Sequence, residues 1–421
     1  FMKRIIIVLT LLLGYLSPSV YGQLTLDSCQ QRARANYPLV KRYNLIEKSN
    51  EYSLANAGKN YLPQFAVSAK ATYQSDVTKM PVSIPGIAIE GVSKDQYGVT
   101  LDVTQSIWDG GTTQAQKRII KAGSDVEKRQ LDVEVYKLTD RVNQLYFGIL
   151  LVDEQLEQNR LLQEDLERNY QRISGYAANG MANQADLDAV RVEQLKAIQQ
   201  RTHAEATRKA YMEMLGVMTD LPLNQSTQLV KPDVEELSLT AEVKRPELQL
   251  FEAQENLFDV QRLKIKSAYM PKLNLFVQGG YGNPGLNMLE NKFSAYYLGG
   301  VRLSWNFGAL YTQKNDVRKL GLNKQDVSAQ RETFLYNLAM ETRQENTAIG
   351  KLKQLMTYDN EIITLRENVR KSAEAKVANG TLTVIELMRE INAENLARQE
   401  KAAHEIELLL SLSNLKTTMN N

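Results

Sequence analysis

The chain has 421 residues, of which 43% are hydrophobic and 24% are charged, so it can form a folded core and is not compositionally disordered. Its 51 basic and 49 acidic residues leave a net charge of +2, which argues against a nucleic-acid-binding protein. One cysteine and two histidines leave little room for a disulfide framework or a cysteine-ligated metal cluster, and we predict no cofactor.

The N-terminus has the pattern of a cleaved secretory signal peptide, predicted over residues 2–22. Residues 3 and 4 are basic, an apolar run follows over 5–13, and Val20 and Gly22 occupy the positions that require small side chains before the cleavage point. The apolar run is shorter than the ~20 residues of a transmembrane helix, and no later run approaches that length. The pattern predicts an exported protein that is either soluble in the periplasm or crosses an outer membrane as β-strands.

The chain is internally duplicated. The tripeptide Ala-Asn-Gly at 178–180 returns at 378–380, an offset of 378 − 178 = 200, and the proline-containing stretch at 61–65 has a counterpart at 269–273. A period this long indicates two domain-sized copies and not a solenoid of short units. The predicted division is a signal peptide at 2–22, a first repeat at 23–220, a linker at 221–242 and a second repeat at 243–418.

Each repeat is predicted to open with a helical segment, at 26–60 in the first copy and 243–268 in the second. Cys29 lies in the first of these segments. A lipid-modified cysteine is one interpretation, but Asp27 is a poor neighbour for that modification and the apolar run ends too far upstream. A buried cysteine in the first helix is favoured.

Four segments then alternate with period two, as expected for strands with one apolar and one polar face. Each has about ten residues or slightly more, the length of a tilted transmembrane strand. The predicted strands cover 65–73, 97–104, 273–281 and 297–307. Trp108 and Trp305 lie at the ends of the second and fourth segments, as in an interfacial aromatic girdle. The alternative is a soluble sheet with one wet face.

Two long proline-free segments, 86–221 and 285–421, permit long helices. From Leu131 to Leu156 the apolar residues step alternately by four and three, the spacing of coiled-coil packing. The pattern resumes at Leu166, Tyr170 and Ile173. We predict helices over about 112–177 and 311–377, far longer than the ~11–12-residue mean of globular proteins. By itself this spacing would favour an ordinary dimeric coiled coil.

The two Asn-Gly pairs are predicted to end these long helices as tight turns. Return helices are predicted over 184–217 and 384–416, so that each repeat ends in a helical hairpin. Four strands cannot close a barrel, since known single-chain barrels begin at eight strands and open edges are excluded from lipid. The strands would therefore have to be shared among several protomers.

Several motifs together resemble TolC-family outer-membrane efflux proteins, also called outer membrane factors. No single motif is specific; their order, duplication and spacing over nearly all of the mature chain carry the resemblance. The motifs are the opening stretch 24–29, Asn-Tyr-Pro at 36–38, the stretch 61–65, the strand-to-helix junction 105–111, and the two Asn-Gly turns, followed by Asp186-Leu187 and Glu386-Leu387.

The resemblance implies a mainly α fold with transmembrane β: a trimeric outer-membrane β-barrel with four strands per protomer, continued by a long periplasmic α-helical barrel. It implies a homotrimer in outer-membrane lipid, with a periplasmic adaptor (membrane fusion) protein and an inner-membrane pump or transporter as partners. The chain departs from the best-known pattern in that Val377 and Leu382 replace a Tyr and an Arg, Arg389 replaces an Asp, and residues 307–309 replace the Asp-Gly-Gly junction.

Two groups of candidate functional residues follow. The periplasmic tips, predicted to contact the adaptor, comprise Ala178, Asn179, Gly180, Asp186, Leu187, Ala378, Asn379, Gly380, Glu386 and Leu387. The barrel lumen is predicted to be lined by Lys70, Thr100, Asp102, Arg302, Ser304 and Asn306. Asp186 and Glu386 could form an acidic ring that favours cations, or they could only stabilise helix N-termini.

No catalytic motif is present, so we predict that the chain is not an enzyme. His203 and His404 have nearly equivalent places in the return helices and are interpreted as solvated or interhelical side chains. The predicted function is a passive, gated conduit that exports small molecules across the periplasm and the outer membrane. The alternatives are the conduit of a type I protein secretion system and, from a different class, a non-channel periplasmic coiled-coil adaptor.

Overall fold

The computed structural model describes residues 24–77, 93–233 and 243–420. The predicted signal peptide, much of the first loop between strands and part of the predicted linker lie outside the described residues. The chain forms two compact units, each drawing on both predicted repeats. The sheet unit consists of 41–130 and 247–332, and the helical unit of the remaining segments.

The sheet unit contains one antiparallel sheet in which neighbours along the chain are neighbours in space, in the order β1-β2-β3-β4. The strands are β1 (Gln64–Tyr73), β2 (Asp95–Trp108), β3 (Lys272–Asn283) and β4 (Ser294–Ser304). All four predicted strands are confirmed, but the fourth was predicted over 297–307 and so begins and ends three residues too late. Asn306 accepts a hydrogen bond from the backbone N–H of Gly308 at 2.9 Å, a local turn that ends the extended backbone before the next helix.

The register fixes the two faces of the sheet, because directly paired residues in antiparallel strands share a face. One face pairs Val67 with Leu101 and Leu275 with Val301. The opposite face pairs Asp102 with Gln278. The alternation predicted for each strand therefore continues coherently across the sheet.

A β-bulge places Trp108 on the apolar face. Ser106 pairs with Asn274, but the next ladder partner of Leu273 is Trp108, so Ile107 is the extra residue. Counted by strict alternation from Thr104, Trp108 would lie on the polar face. The bulge brings the indole to the apolar face at the end of the strand.

Helices of the sheet unit flank the strands in sequence. They are α2 (Lys41–Gly58), most of α3 (Thr112–Tyr136), α6 (Pro246–Ala268) and the first part of α7 (Ala309–Ala378). The second opening segment was predicted from residue 243, but its helix begins at Pro246, where a missing backbone N–H has no cost. The predicted second long helix is confirmed as α7, of 70 residues.

The helical unit contains α1 (Leu26–Asn36), α4 (Leu138–Ala178), α5 (Gln184–Thr219), α8 (Val384–Met419) and the remainder of α3 and α7. The first opening segment was predicted as one helix over 26–60, but the structure breaks it at Tyr37, whose extended backbone (φ −63°, ψ 125°) is the conformation that a following proline favours. The first long helix was predicted to be continuous, but an irregularity at Lys137 divides α3 from α4, although Lys137 keeps helical dihedral angles.

Two apolar clusters form the core of the helical unit. The larger contains Tyr146, Phe147 and Ile149 of α4, each at most 1% exposed. Fully buried side chains of this size each contribute about 1.5–3 kcal/mol by leaving water. Cys29 belongs to this cluster and is 0% exposed, and its burial raises the pKa of the thiol to about 12. The predicted buried cysteine is therefore confirmed.

The smaller cluster lies next to the two hairpin turns. It joins Leu166 and Ile173 of α4 to Val190 of α5, and Leu387 and Ile391 of α8 complete it. Leu166 and Ile173 are positions of the predicted heptad pattern, and both are 0% exposed. The coiled-coil spacing thus reports packing between helices of the same chain.

Candidate functional site

The polar face of the sheet carries five of the six predicted lumen residues. Lys70, Thr100, Asp102, Arg302 and Ser304 all occupy this face by the register. The Asp102 carboxylate accepts hydrogen bonds from the Thr100 hydroxyl at 3.1 Å and the Gln278 amide at 2.6 Å. The sixth predicted residue, Asn306, lies beyond the end of β4 and is not part of the sheet.

The opposite face is apolar and widely exposed within this chain. Phe65, Val67, Val301 and Leu303 are 71%, 73%, 64% and 67% exposed. The only charged side chain on this face of the described strands is Asp95, the first residue of β2. An exposed apolar surface of this extent requires a cover of lipid or protein.

A short turn at residues 109–111 connects β2 to α3. The Asp109 carboxylate accepts hydrogen bonds from the backbone N–H groups of Gly111 at 3.0 Å and Thr113 at 2.6 Å, and from the Tyr61 hydroxyl at 3.0 Å. Burial alone would raise the pKa of Asp109, but these hydrogen bonds lower it below its ordinary value. Gly110 has φ +68°, and a side chain there would lie 2.7 Å from Met270 Cβ. This geometry explains the Asp-Gly-Gly sequence that marked the junction.

The two hairpin turns have the same geometry, as the sequence duplication predicted. Gly180 and Gly380 adopt φ +71° and +69°, and each is preceded by an asparagine whose side-chain amide donates to the carbonyl four residues earlier. A side chain at either glycine would meet nothing within 4 Å, so only the backbone conformation calls for glycine there. The Ala-Asn-Gly residues of both turns are exposed.

Asp186 and Glu386 each complete a capping box. Asp186 accepts from the N–H of Asn183 at 3.0 Å, and Glu386 accepts from the N–H of Thr383 at 3.0 Å. In return, the Thr383 side chain accepts a hydrogen bond from the backbone N–H of Glu386, and the Asn183 side chain accepts one from the backbone N–H of Asp186. The hydrogen bonds from Thr383, with a smaller contribution from Arg389, lower the pKa of Glu386. Both carboxylates therefore have a defined structural role, and the acidic ring stays a prediction.

The two leucines of the predicted tip site pack inward. Leu387 is 1% exposed in the smaller core cluster, and Leu187 is partly buried against it. Leu387 was predicted as a contact residue, but its side chain is unavailable to a partner because it holds α8 against α4. Met181 and Ile385, at 63% and 61% exposed, are apolar side chains that the turns expose, and neither was among the predicted tip residues.

An ion network that no sequence pattern predicted lies one to five helical turns from the second hairpin turn. Arg370 of α7 contacts Glu394 of α8 at 2.5 Å and also contacts Glu374. Glu374 reaches Arg172 of α4 at 3.2 Å, and Glu394 accepts from Arg398 at 2.8 Å. Burial alone would lower the pKa of Arg370, but Glu394 and Glu374 raise it. The network ties three helices together with charge-assisted hydrogen bonds.

His404 lies between two helices, α7 and α8, which was one of the two environments predicted for it. Its Nδ1 lies 3.0 Å from a carboxylate oxygen of Asp359, which is 6% exposed. His203 is exposed on α5. In the described part of the chain, no group of three or more His, Cys, Asp or Glu side chains could hold a metal ion. None of the helices that the structure describes combines the length and apolarity needed to cross a membrane.

The chain is similar in sequence to one protein family and in fold to several solved structures. The sequence profile described as "Outer membrane efflux protein" matches residues 30–215. The fold is similar to that of CusC, solved in a study of folding and transmembrane channel formation, with 12% identity, a TM-score of 0.69, and coverage of 94% of this chain and 91% of that one. It is also similar to the Campylobacter jejuni outer membrane channel CmeC, with 15% identity, a TM-score of 0.66 and coverage of 94% and 85%.

A third similar structure is the outer membrane protein VceC of Vibrio cholerae, with 11% identity, a TM-score of 0.65 and coverage of 93% and 95%. At these identities the similarity concerns the fold. No curated protein matches the sequence.

Proposed function

We propose, from the match of residues 30–215 to the outer membrane efflux protein family, that the chain is the outer-membrane channel of a tripartite efflux system. It acts as a passive conduit that exports small molecules through the periplasm and the outer membrane. The observation that carries the proposal is a sheet with one exposed apolar face and one polar face, in the same chain as two long helical hairpins.

The apolar face is the surface that lipid would cover. A band without charge apart from Asp95 fits the hydrocarbon layer, and Trp108 at the end of β2 fits its interface. The polar face would then line a water-filled lumen. The helical hairpins are far too polar for lipid and would extend into the periplasm.

The channel would be a homotrimer. Within the described residues, β1 and β4 each have one unpaired edge, and unpaired backbone groups in lipid cost several kcal/mol each. Three copies of four strands would pair these edges in a closed barrel. The helical unit also supports association. In this unit, α7 exposes an apolar stripe with heptad spacing. The stripe consists of Leu355, Tyr358, Ile362, Leu365 and Val369.

We expect the purified chain to be a trimer in mild detergent. Replacing Ile362 and Leu365 with Glu should weaken the trimer, because the charges would be buried in the subunit contact. Mass photometry or native mass spectrometry measures the oligomer. As a matched control, the exposed polar residues Lys353 and Arg343 of the same helix are changed to Glu. A stable folded monomer of the unaltered chain would contradict the barrel.

The hairpin turns would dock the partners. Each turn offers exposed Ala-Asn-Gly residues and one exposed apolar side chain, Met181 or Ile385, for contact with the helical tips of a periplasmic adaptor. An inner-membrane pump or transporter would supply the energy, since the proposed conduit has no catalytic role. A type I secretion system would use the same fold, and export of a protein in place of small molecules would identify it.

The tip glycines give a second prediction. Replacing Gly180 and Gly380 with Val should lower efflux, because a β-branched residue in this left-handed backbone costs about 1–2 kcal/mol per site and distorts the turn. Growth of an efflux-deficient strain in the presence of exported compounds measures the loss, and a native gel confirms that the trimer remains.

Asparagine is the matched control at both glycines, because it tolerates the left-handed conformation. Retained efflux in the Asn variants and lost efflux in the Val variants would assign the effect to turn geometry. If the Val variants still complement fully, the turns are not the docking surface. Replacing Asp186 and Glu386 with Ala tests the acidic ring separately, since only that hypothesis predicts a change in cation selectivity.

A further inference from the structure

The polar face of the sheet is electrically asymmetric. By the register, its charged side chains in the described strands are Lys70 of β1, Asp102 of β2, Lys272 of β3 and Arg302 of β4. Three are cations and one is an anion, although the whole chain is nearly neutral at +2. The excess of positive charge on this face is therefore local and not a consequence of composition.

The single anion is also the best-satisfied of the four. Asp102 accepts hydrogen bonds from Thr100 and from Gln278 on the adjacent strand, which engage both carboxylate oxygens. No ion pair within the described residues involves Lys70, Lys272 or Arg302. Among the residues that the structure describes, these three cations therefore have no carboxylate partner.

Arg302 is held in a defined position. Its guanidinium lies 4.8 Å from the centroid of the Phe276 ring, within cation–π range. The ring itself covers Gly300, where a Cβ would lie 3.2 and 3.3 Å from two ring carbons. A side chain at residue 300 would therefore push the ring outward by a few tenths of an ångström. The Phe276 ring, packed over Gly300, therefore positions the Arg302 guanidinium on the polar face.

Lys70 is placed in a similar way. The middle of its aliphatic stem lies over Gly98 of the neighbouring strand, with Cε 3.6 Å from the position of a Cβ there. This contact keeps the Lys70 side chain on the polar face, next to β2.

We propose that the polar face makes the barrel prefer anionic solutes over cations, with Arg302 as the principal selecting residue. The inference rests on the proposed channel and on its trimer, in which three copies of Arg302 would face one lumen. One unit charge acting through water at about 10 Å changes the local concentration of a monovalent ion about twofold. Three such charges give a substantial preference before screening. The exported compounds would then include organic anions.

Single-channel recording in planar bilayers tests the proposal on the full-length trimer. A tenfold KCl gradient is used at or below about 0.1 M, where the screening length is about 10 Å or more. We expect Arg302→Gln to lower the permeability ratio of chloride to potassium by about fivefold relative to the unaltered channel. The comparison is with the unaltered channel because the acidic tips could add a cation preference of their own.

Two further variants keep the result interpretable. Arg302→Lys preserves the charge and should keep most of the anion preference. Asp102→Asn removes the opposing charge and should shift the ratio toward chloride, the opposite direction to Arg302→Gln. A channel whose ratio is the same in all four proteins would overturn the inference and leave the channel function intact. No conductance from folded, unaltered trimer would instead overturn the proposed function.

Discussion

Arginine in place of Leu101 is expected to prevent assembly in the outer membrane. Leu101 lies near the middle of β2 on the apolar face, opposite Val67 and Gly279, and is 46% exposed within this chain. An arginine on the lipid side of a barrel costs about 2–4 kcal/mol at the bilayer midplane and about 0–1 near the interface. Val301→Arg and Leu303→Arg should have the same sign but smaller effects, since both lie near the end of β4.

Thr100→Arg is the matched control, because it places the same side chain one residue away on the polar face. The amount of folded trimer in outer-membrane fractions, separated on native gels, measures the outcome. We expect near-normal trimer for Thr100→Arg and little for Leu101→Arg. Equal loss in both variants would mean that the two faces have been assigned to the wrong solvents.

Removing Glu394 is expected to destabilise the helical unit near the second hairpin turn. The Glu394 side chain is 7% exposed, and its partner Arg370 is 17% exposed. Truncating one partner of a buried ion pair typically costs about 3–5 kcal/mol, because the other charge loses its compensation. Arg370 keeps its contact with Glu374, so we expect a cost at or below the lower end of that range. Glu394→Ala should therefore loosen α7 from α8, with faster hydrogen exchange on both sides of the second hairpin turn.

Two controls separate burial from charge. Glu407→Ala removes an exposed glutamate from the same helix and should be nearly neutral. The double change Arg370→Met with Glu394→Leu removes both buried charges and should recover much of the lost stability, because paired apolar replacements are often neutral or stabilising. Unchanged exchange in Glu394→Ala would show that the network contributes little to holding the hairpin together.

Local patterns in the sequence were enough to predict the elements and their duplication. Helix and strand periodicity, the Asn-Gly turns and the capping residues are local features, so they predicted α7, both return helices and all four strands to within a few residues. Alternation also predicted the polar set that includes Lys70 and Arg302, because side-chain direction in a strand follows from its period alone.

The contacts between those elements could be read only from the folded chain. The bulge at Ile107, the turn at Asn306 and the burial of Leu387 depend on neighbours far away in the chain or on one local hydrogen bond, which periodicity does not encode. The ion network around Arg370 joins α7 to α8 and, through Glu374, to α4. The contact of Arg302 with Phe276 could be recognised only from the register of β3 against β4, which pairs Phe276 with Gly300. Pairing across the chain, not composition, places these charges.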